Sequence, residues 1–143
     1  MRSVRILLVE DNPGDVDLIL EAFNECRMPH EIEVVNDGQE AIYFLRKQDK
    51  YEDKRSPNII LLDLNLPRKD GRQVLEEIKN DAKLKRIPVI ILTSSARQED
   101  ILKVYEQHAN CYVRKPVDLN DFLTLVRKIE DFWFSVVELP PVV

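Results

Sequence analysis

What most constrains this chain is the regular alternation of short, β-rich apolar runs with stretches of helical spacing. Val4-Arg5-Ile6-Leu7-Leu8-Val9 stops abruptly at Glu10-Asp11-Asn12-Pro13-Gly14, as a buried strand running into a turn does. Pro13 suits the first turn of a helix, and Val16, Ile19, Leu20 and Phe23 follow at helical spacing. Glu31 to Val35 reads as a second strand, broken by Asn36-Asp37-Gly38, after which Ala41, Ile42 and Leu45 open a helix. Asn58-Ile59-Ile60-Leu61-Leu62 is apolar on both faces, as a central parallel strand must be, and ends at Asp63. Val74, Leu75 and Ile78 mark the next helix. Pro88-Val89-Ile90-Ile91-Leu92 ends in Thr93-Ser94-Ser95, and Ile101, Val104 and Tyr105 follow. Cys111-Tyr112-Val113 ends in Arg114-Lys115-Pro116. Asp118 then caps a last helix, which carries Phe122, Val126, Ile129 and Trp133 on one face. The charged stretch from Gln48 to Pro57 reads as a solvated loop or a helix extension.

Five strand–helix units in a row imply a parallel sheet with helices on both faces. Right-handed crossovers leave few ways to wind it. The expected fold is α/β: a flavodoxin-like, doubly wound (βα)5 domain with a five-stranded parallel sheet in the order 2-1-3-4-5. A chain of 143 residues fits one such domain, and 44% apolar with 33% charged residues is a globular balance. The net charge of −5 argues against nucleic acid as the main partner. No apolar run approaches the ~20 residues of a membrane span. The start of the chain carries no signal-peptide pattern. Cys26 and Cys111 lack metal-type spacing and read as reduced thiols. A cytoplasmic protein is expected.

The chemistry collects at the strand ends. Glu10 and Asp11 follow the first strand, Asp63 the third, Thr93 the fourth and Lys115 the fifth. In an open α/β sheet the site lies beyond the carboxyl ends of the strands, where the strand order switches. These residues are therefore expected to converge on one crevice. Each alone has a bland reading, as turn, cap or surface residue; their coincidence at matching positions does not. Clustered carboxylates without His or Cys select a hard cation such as Mg²⁺. Lys115 adds a compact positive charge and Thr93 a hydroxyl, a set suited to phosphoryl transfer onto an aspartate. Gly14, Gly38 and Gly71 form no phosphate-loop motif.

At these residues the chain resembles the receiver domains of response regulators. The resemblance covers roughly Val4 to Lys128. It rests on Ile6-Leu7-Leu8-Val9-Glu10-Asp11-Asn12, on Leu61-Leu62-Asp63-Leu64-Asn65-Leu66-Pro67 with Asp70-Gly71, on Ile91-Leu92-Thr93-Ser94, and on Tyr112-Val113-Arg114-Lys115-Pro116. It implies that Asp63 accepts phosphate from a phosphohistidine on a sensor histidine kinase. It further implies that Glu10, Asp11, Asp63 and the backbone carbonyl of Asn65 hold Mg²⁺, and that Thr93 and Lys115 contact the phosphoryl oxygens. Tyr112 would be the switch aromatic that turns inward with Thr93, and Lys115–Pro116 a cis peptide. The charged segment 48–57 and the tail Phe132-Trp133-Phe134…Leu139-Pro140 resemble the regulators that partner bacterial and cyanobacterial phytochromes, a group that implies a homodimer.

The expected division is a receiver domain over residues 1–131 and an apolar C-terminal extension over 132–143, with no separate output domain. The protein would then be a signalling switch, assisting its own phosphoryl transfer and dephosphorylation, rather than an enzyme. Its output would be a surface that changes on phosphorylation. Phe132, Phe134, Val136, Val137 and Leu139 are left over once the last helix has covered the sheet. They are expected to form a dimer contact, the alternative being a tail folded back over its own domain. The rival function is a haloacid-dehalogenase-type aspartyl-phosphate hydrolase. Such enzymes carry a second Asp two residues after the nucleophile, where this chain has Asn65, and they lack an acidic pair after the first strand.

Overall fold

The computed structural model describes residues 3–141. Strands and helices alternate: β1 (Val4–Val9), α1 (Pro13–Phe23), β2 (His30–Val35), α2 (Gly38–Leu45), β3 (Ile59–Leu62), α3 (Gly71–Asn80), β4 (Val89–Thr93), α4 (Gln98–Glu106), β5 (Cys111–Arg114) and α5 (Leu119–Ile129). All four strand pairings are parallel and the order is β2-β1-β3-β4-β5, the flavodoxin-like arrangement expected from the sequence.

Successive strand residues point to opposite faces, and the two cores divide accordingly. Leu7, Val9, Ile60, Leu62, Val89 and Ile91 pack with Ile42 and Phe44 of α2, Val74, Leu75 and Ile78 of α3, and Val104 of α4. Ile6, Leu8, Ile59, Leu61, Ile90 and Leu92 pack with Ile19 and Phe23 of α1 and Phe122, Val126 and Ile129 of α5. The central strands read as unbroken apolar runs because both faces are covered.

Polar caps fix where the helices begin. Asn12, Asp37 and Asp118 accept from the amides of Asp15, Glu40 and Asp121, and Asp70 forms a reciprocal capping box with Gln73. Gly71 has a steric role: a Cβ there would sit 2.1 Å from the Asp63 carbonyl oxygen. Only glycine lets α3 start this close to the end of β3. The segment 48–57 contains one tight turn, Asp49–Tyr51, anchored by Tyr51, whose hydroxyl donates to Glu40 Oε1 at 2.8 Å.

Two expectations are corrected. Among the described residues no peptide bond is cis, so Lys115–Pro116 is trans; trans is the favoured form of an X–Pro bond by about 0.5–1 kcal/mol. The second correction concerns the end of α5. From Glu130 to Val136 the helix widens to π-type turns, with the Val137 amide donating to the Phe132 carbonyl at 2.8 Å. The wider turn shifts the buried stripe by one residue. Phe134, not Trp133, continues the face of Val126 and Ile129, and it stacks on Phe23 with centroids 6.4 Å apart. Trp133 and Leu139 are half-buried against the same core, so much of the tail packs on its own domain. Glu130, itself buried, accepts from the Met28 amide at 2.6 Å and ties the extension to the loop after α1.

The register shift is directly testable. Phe134→Ala should cost about 3 kcal/mol of unfolding free energy and Phe132→Ala no more than about 0.5 kcal/mol. Denaturant titrations giving the opposite order would mean that the segment continues as an ordinary α-helix.

Candidate functional site

The carboxyl ends of β1, β3, β4 and β5 bring Glu10, Asp11, Asp63, Thr93 and Lys115 together. Glu10, Asp63 and Thr93 are buried while Asp11 is exposed. One carboxylate oxygen each from Glu10, Asp11 and Asp63 lie within 4.8 Å of one another. Such a group of hard oxygen donors fits a divalent metal. Lys115, whose side chain is only 7% exposed, reaches the centre of the site. Its Nζ lies 2.6 Å from Glu10 Oε1, 2.9 Å from Asp15 Oδ2 and 3.2 Å from Asp63 Oδ2.

The excess of negative charge shows in proton affinities. Burial pushes the Glu10 carboxyl up to about 7; the Lys115 hydrogen bond opposes this and the Asp63 charge adds to it. Burial alone would lower the Lys115 ammonium, but hydrogen bonds to Glu10 and Asp15 and the charges of Asp63 and Glu10 outweigh it and raise it. The origins differ: burial dominates at Glu10, whereas at Lys115 the surrounding carboxylates overcome burial.

Around this centre the loops supply amides. The Asn12 amide donates to Glu10 Oε2 at 3.2 Å, and the Asn65 amide donates to Asp63 Oδ1 at a long 3.4 Å. Thr93 Oγ1 is buried and has no hydrogen-bond partner among the described residues. Such an orphan is uncommon in a folded protein and leaves a donor free for an incoming oxygen. Tyr112 is half-buried, and its hydroxyl donates to the Ser95 carbonyl at 2.7 Å. The Ser95 hydroxyl donates in turn to Asp100 Oδ2 at 2.7 Å, and Arg72 donates to Asp100 Oδ1 at 2.9 Å.

Of the residues singled out in the sequence, the structure brings Glu10, Asp11, Asp63 and Lys115 together, with Thr93 at the neighbouring strand end and Asn65 and Tyr112 on the adjoining loop and strand. Sequence reading missed Asp15 and the Arg72–Asp100–Ser95 chain. Asp15 carried one signal: it stands three residues after the cap Asn12, which turns the first turn of α1 over the strand ends. A cavity of about 430 Å³ lined by Pro57, Asn58, Leu84 and Pro88 lies at the amino ends of β3 and β4, away from this chemistry.

Comparison with known proteins agrees with this geometry. The response regulator receiver domain family matches residues 6–127. The chain belongs to that family. Response regulator Rcp1 of Synechocystis sp. is 48% identical over 135 residues, spanning 94% of this chain and 92% of the relative. The structure is similar to that of the phosphorylated cyanobacterial phytochrome response regulator RcpA (TM-score 0.94, 47% identity, 98% of this chain and 100% of that one). It is similar as well to the Mn²⁺-bound form of Rcp1 (TM-score 0.91, 47% identity, 96% of this chain and 99% of that one). These matches leave the haloacid-dehalogenase-type alternative without support. No helix among the described residues is long and apolar enough to cross a membrane.

The Glu10 shift fixes a pH dependence. A raised carboxyl holds its proton up to about 7, and a metal must displace that proton to use the oxygen. Divalent-metal affinity should therefore rise as pH rises through this region and level off above it. Calorimetric titrations at pH 6 and pH 8 check this; equal affinities would remove Glu10 as a proton-carrying ligand.

Proposed function

We propose that this receiver domain is a phosphorylation switch in which Asp63 is the phosphoacceptor. The observation that carries the reading is the Lys115 ammonium held 3.2 Å from Asp63 beside the acidic cluster of Glu10 and Asp11. An Asp63 carboxylate oxygen attacks the phosphorus of a phosphohistidine. The O–P bond forms as the P–N bond breaks, and the leaving imidazole keeps the electron pair. Hydrolysis of the aspartyl phosphate returns the carboxylate and releases inorganic phosphate.

Mg²⁺, held by Glu10, Asp11, Asp63 and the Asn65 carbonyl, would neutralise charge on the phosphoryl oxygens. Lys115 places its ammonium against those oxygens, and the Thr93 hydroxyl donates to one of them. Tyr112 follows Thr93 as the switch residue, because Ser95, which accepts its hydroxyl, is two residues beyond Thr93. The protein acts as a signalling switch that assists its own phosphorylation and dephosphorylation, not as an enzyme on a small substrate. Residues 1–131 form the receiver unit, and 132–143 extend it.

The phosphodonor is a sensor histidine kinase in the cytoplasm. Similarity to the phytochrome response regulator RcpA supports a phytochrome-type kinase. The partners are proteins rather than nucleic acid or membrane. A homodimer is part of the proposal, on a narrower surface than the whole tail: Phe132 is 53% and Val136 73% exposed.

Incubation with acetyl phosphate and Mg²⁺ should label the parent and leave Asp63→Asn unlabelled; equal labelling of the two would sink the phosphoacceptor assignment. For the dimer, Phe132→Asp combined with Val136→Asp should turn a sedimenting dimer into a monomer at micromolar concentration. A parent that is monomeric with and without phosphorylation rules the dimer out.

A further inference from the structure

Asp15 is a carboxylate of the site that stands outside both the acidic cluster and the receiver motifs. It lies in the first turn of α1, where Asn12 Oδ1 accepts from its backbone amide at 3.1 Å. This cap aims the turn at the strand ends, and Lys115 Nζ donates to Asp15 Oδ2 at 2.9 Å. The Lys115 ammonium has three N–H groups and three carboxylate partners: Glu10, Asp15 and Asp63.

Those partners are not equivalent. Glu10 and Asp63 also supply oxygens to the cluster completed by Asp11. A divalent cation on that cluster competes with Lys115 for both. Asp15 is outside the cluster, so it is the partner the ammonium keeps. A lysine side chain only 7% exposed would otherwise face the incoming cation without a counter-ion, which is costly in a poorly solvated site.

We propose that Asp15 is a positioning residue that parks the Lys115 ammonium while a divalent cation occupies Glu10, Asp11 and Asp63, and yields it to the phosphoryl group on Asp63. The release step rests on the phosphoacceptor reading above; the parking step does not. Parking favours the cation, because a lysine held by Asp15 contends less for Glu10 and Asp63. It opposes the phosphoryl group, because the ammonium must leave its place beside Asp15 to sit against the phosphoryl oxygens. Asp15 therefore acts on the two ligands with opposite sign, and it acts through Lys115.

The test measures Mg²⁺ affinity of the unphosphorylated protein by calorimetry, then beryllofluoride affinity at saturating Mg²⁺. The proteins compared are the parent, Asp15→Asn, Asp15→Glu, Lys115→Met and the Asp15→Asn/Lys115→Met double variant. Asp15→Asn should bind Mg²⁺ about fivefold more weakly and beryllofluoride about fivefold more tightly, with Asp15→Glu close to the parent. In the Lys115→Met background the Asp15→Asn effect on Mg²⁺ should shrink to less than about twofold. Weakening of both ligands would reduce Asp15 to local structural support and overturn the proposal. An undiminished Mg²⁺ effect in the Lys115→Met background would show that Asp15 acts on the cation directly, which overturns it as well. Failure of the parent to take beryllofluoride counts against the phosphoacceptor function; the Mg²⁺ arm needs no phosphorylation and decides for or against parking by itself.

Discussion

The Lys115 ammonium is the interaction on which the site depends. Glu10, Asp15 and Asp63 all lie within 3.2 Å of it, in a setting where Glu10 is 1% and Asp63 6% exposed. Buried carboxylates repel one another and resist desolvation. One cation lowers that cost without removing it, and the proton held by Glu10 to about 7 is the residue of the imbalance. A site left short of positive charge is one that a divalent metal completes.

Holding such a cluster requires a scaffold that does not yield. The central strands supply it, because β1, β3 and β4 are buried on both faces and paired on both sides. Their carboxyl ends are fixed within a hydrogen-bond register; Thr93 is the last residue of β4 within it, and Glu10, Asp63 and Lys115 directly follow β1, β3 and β5. Gly71 adds a second constraint. Its missing Cβ lets the capped start of α3 pack on the carbonyl of Asp63, so the loop after β3 is held from the backbone as well as from the Asp63 side chain.

What the sequence made legible follows from this division of labour. Strand ends are visible as apolar runs that stop at Glu10, Asp63, Thr93 and Lys115, and topology alone brings them together. Asp15 was not legible, because an acidic residue in a first helical turn is ordinary helix chemistry until the strand-end lysine is seen beside it. Nor was the register of the C-terminal extension. Helical periodicity assumes one turn size, and the π-type turns from Glu130 to Val136 exchange Trp133 for Phe134 against Phe23. Arg72 and Asp100 lie on different helices, and no spacing rule predicts that they meet.

That last pair belongs to a chain of contacts that runs from the site to its surroundings. Thr93 ends β4, and two residues later Ser95 is held twice: its carbonyl accepts from Tyr112, and its hydroxyl donates to Asp100. Asp100 is buried in the first turn of α4 and bound by Arg72, which starts from the same capped turn of α3 that packs on Asp63. The loop after Thr93 is therefore held from the start of α3 on one side and from β5 on the other. A backbone movement of Thr93 toward Asp63 would pull on Ser95, two residues on. The Tyr112 and Asp100 contacts then have to follow or break. α4 carries the exposed Leu102 and Tyr105, so this chain of contacts ends beside an apolar surface.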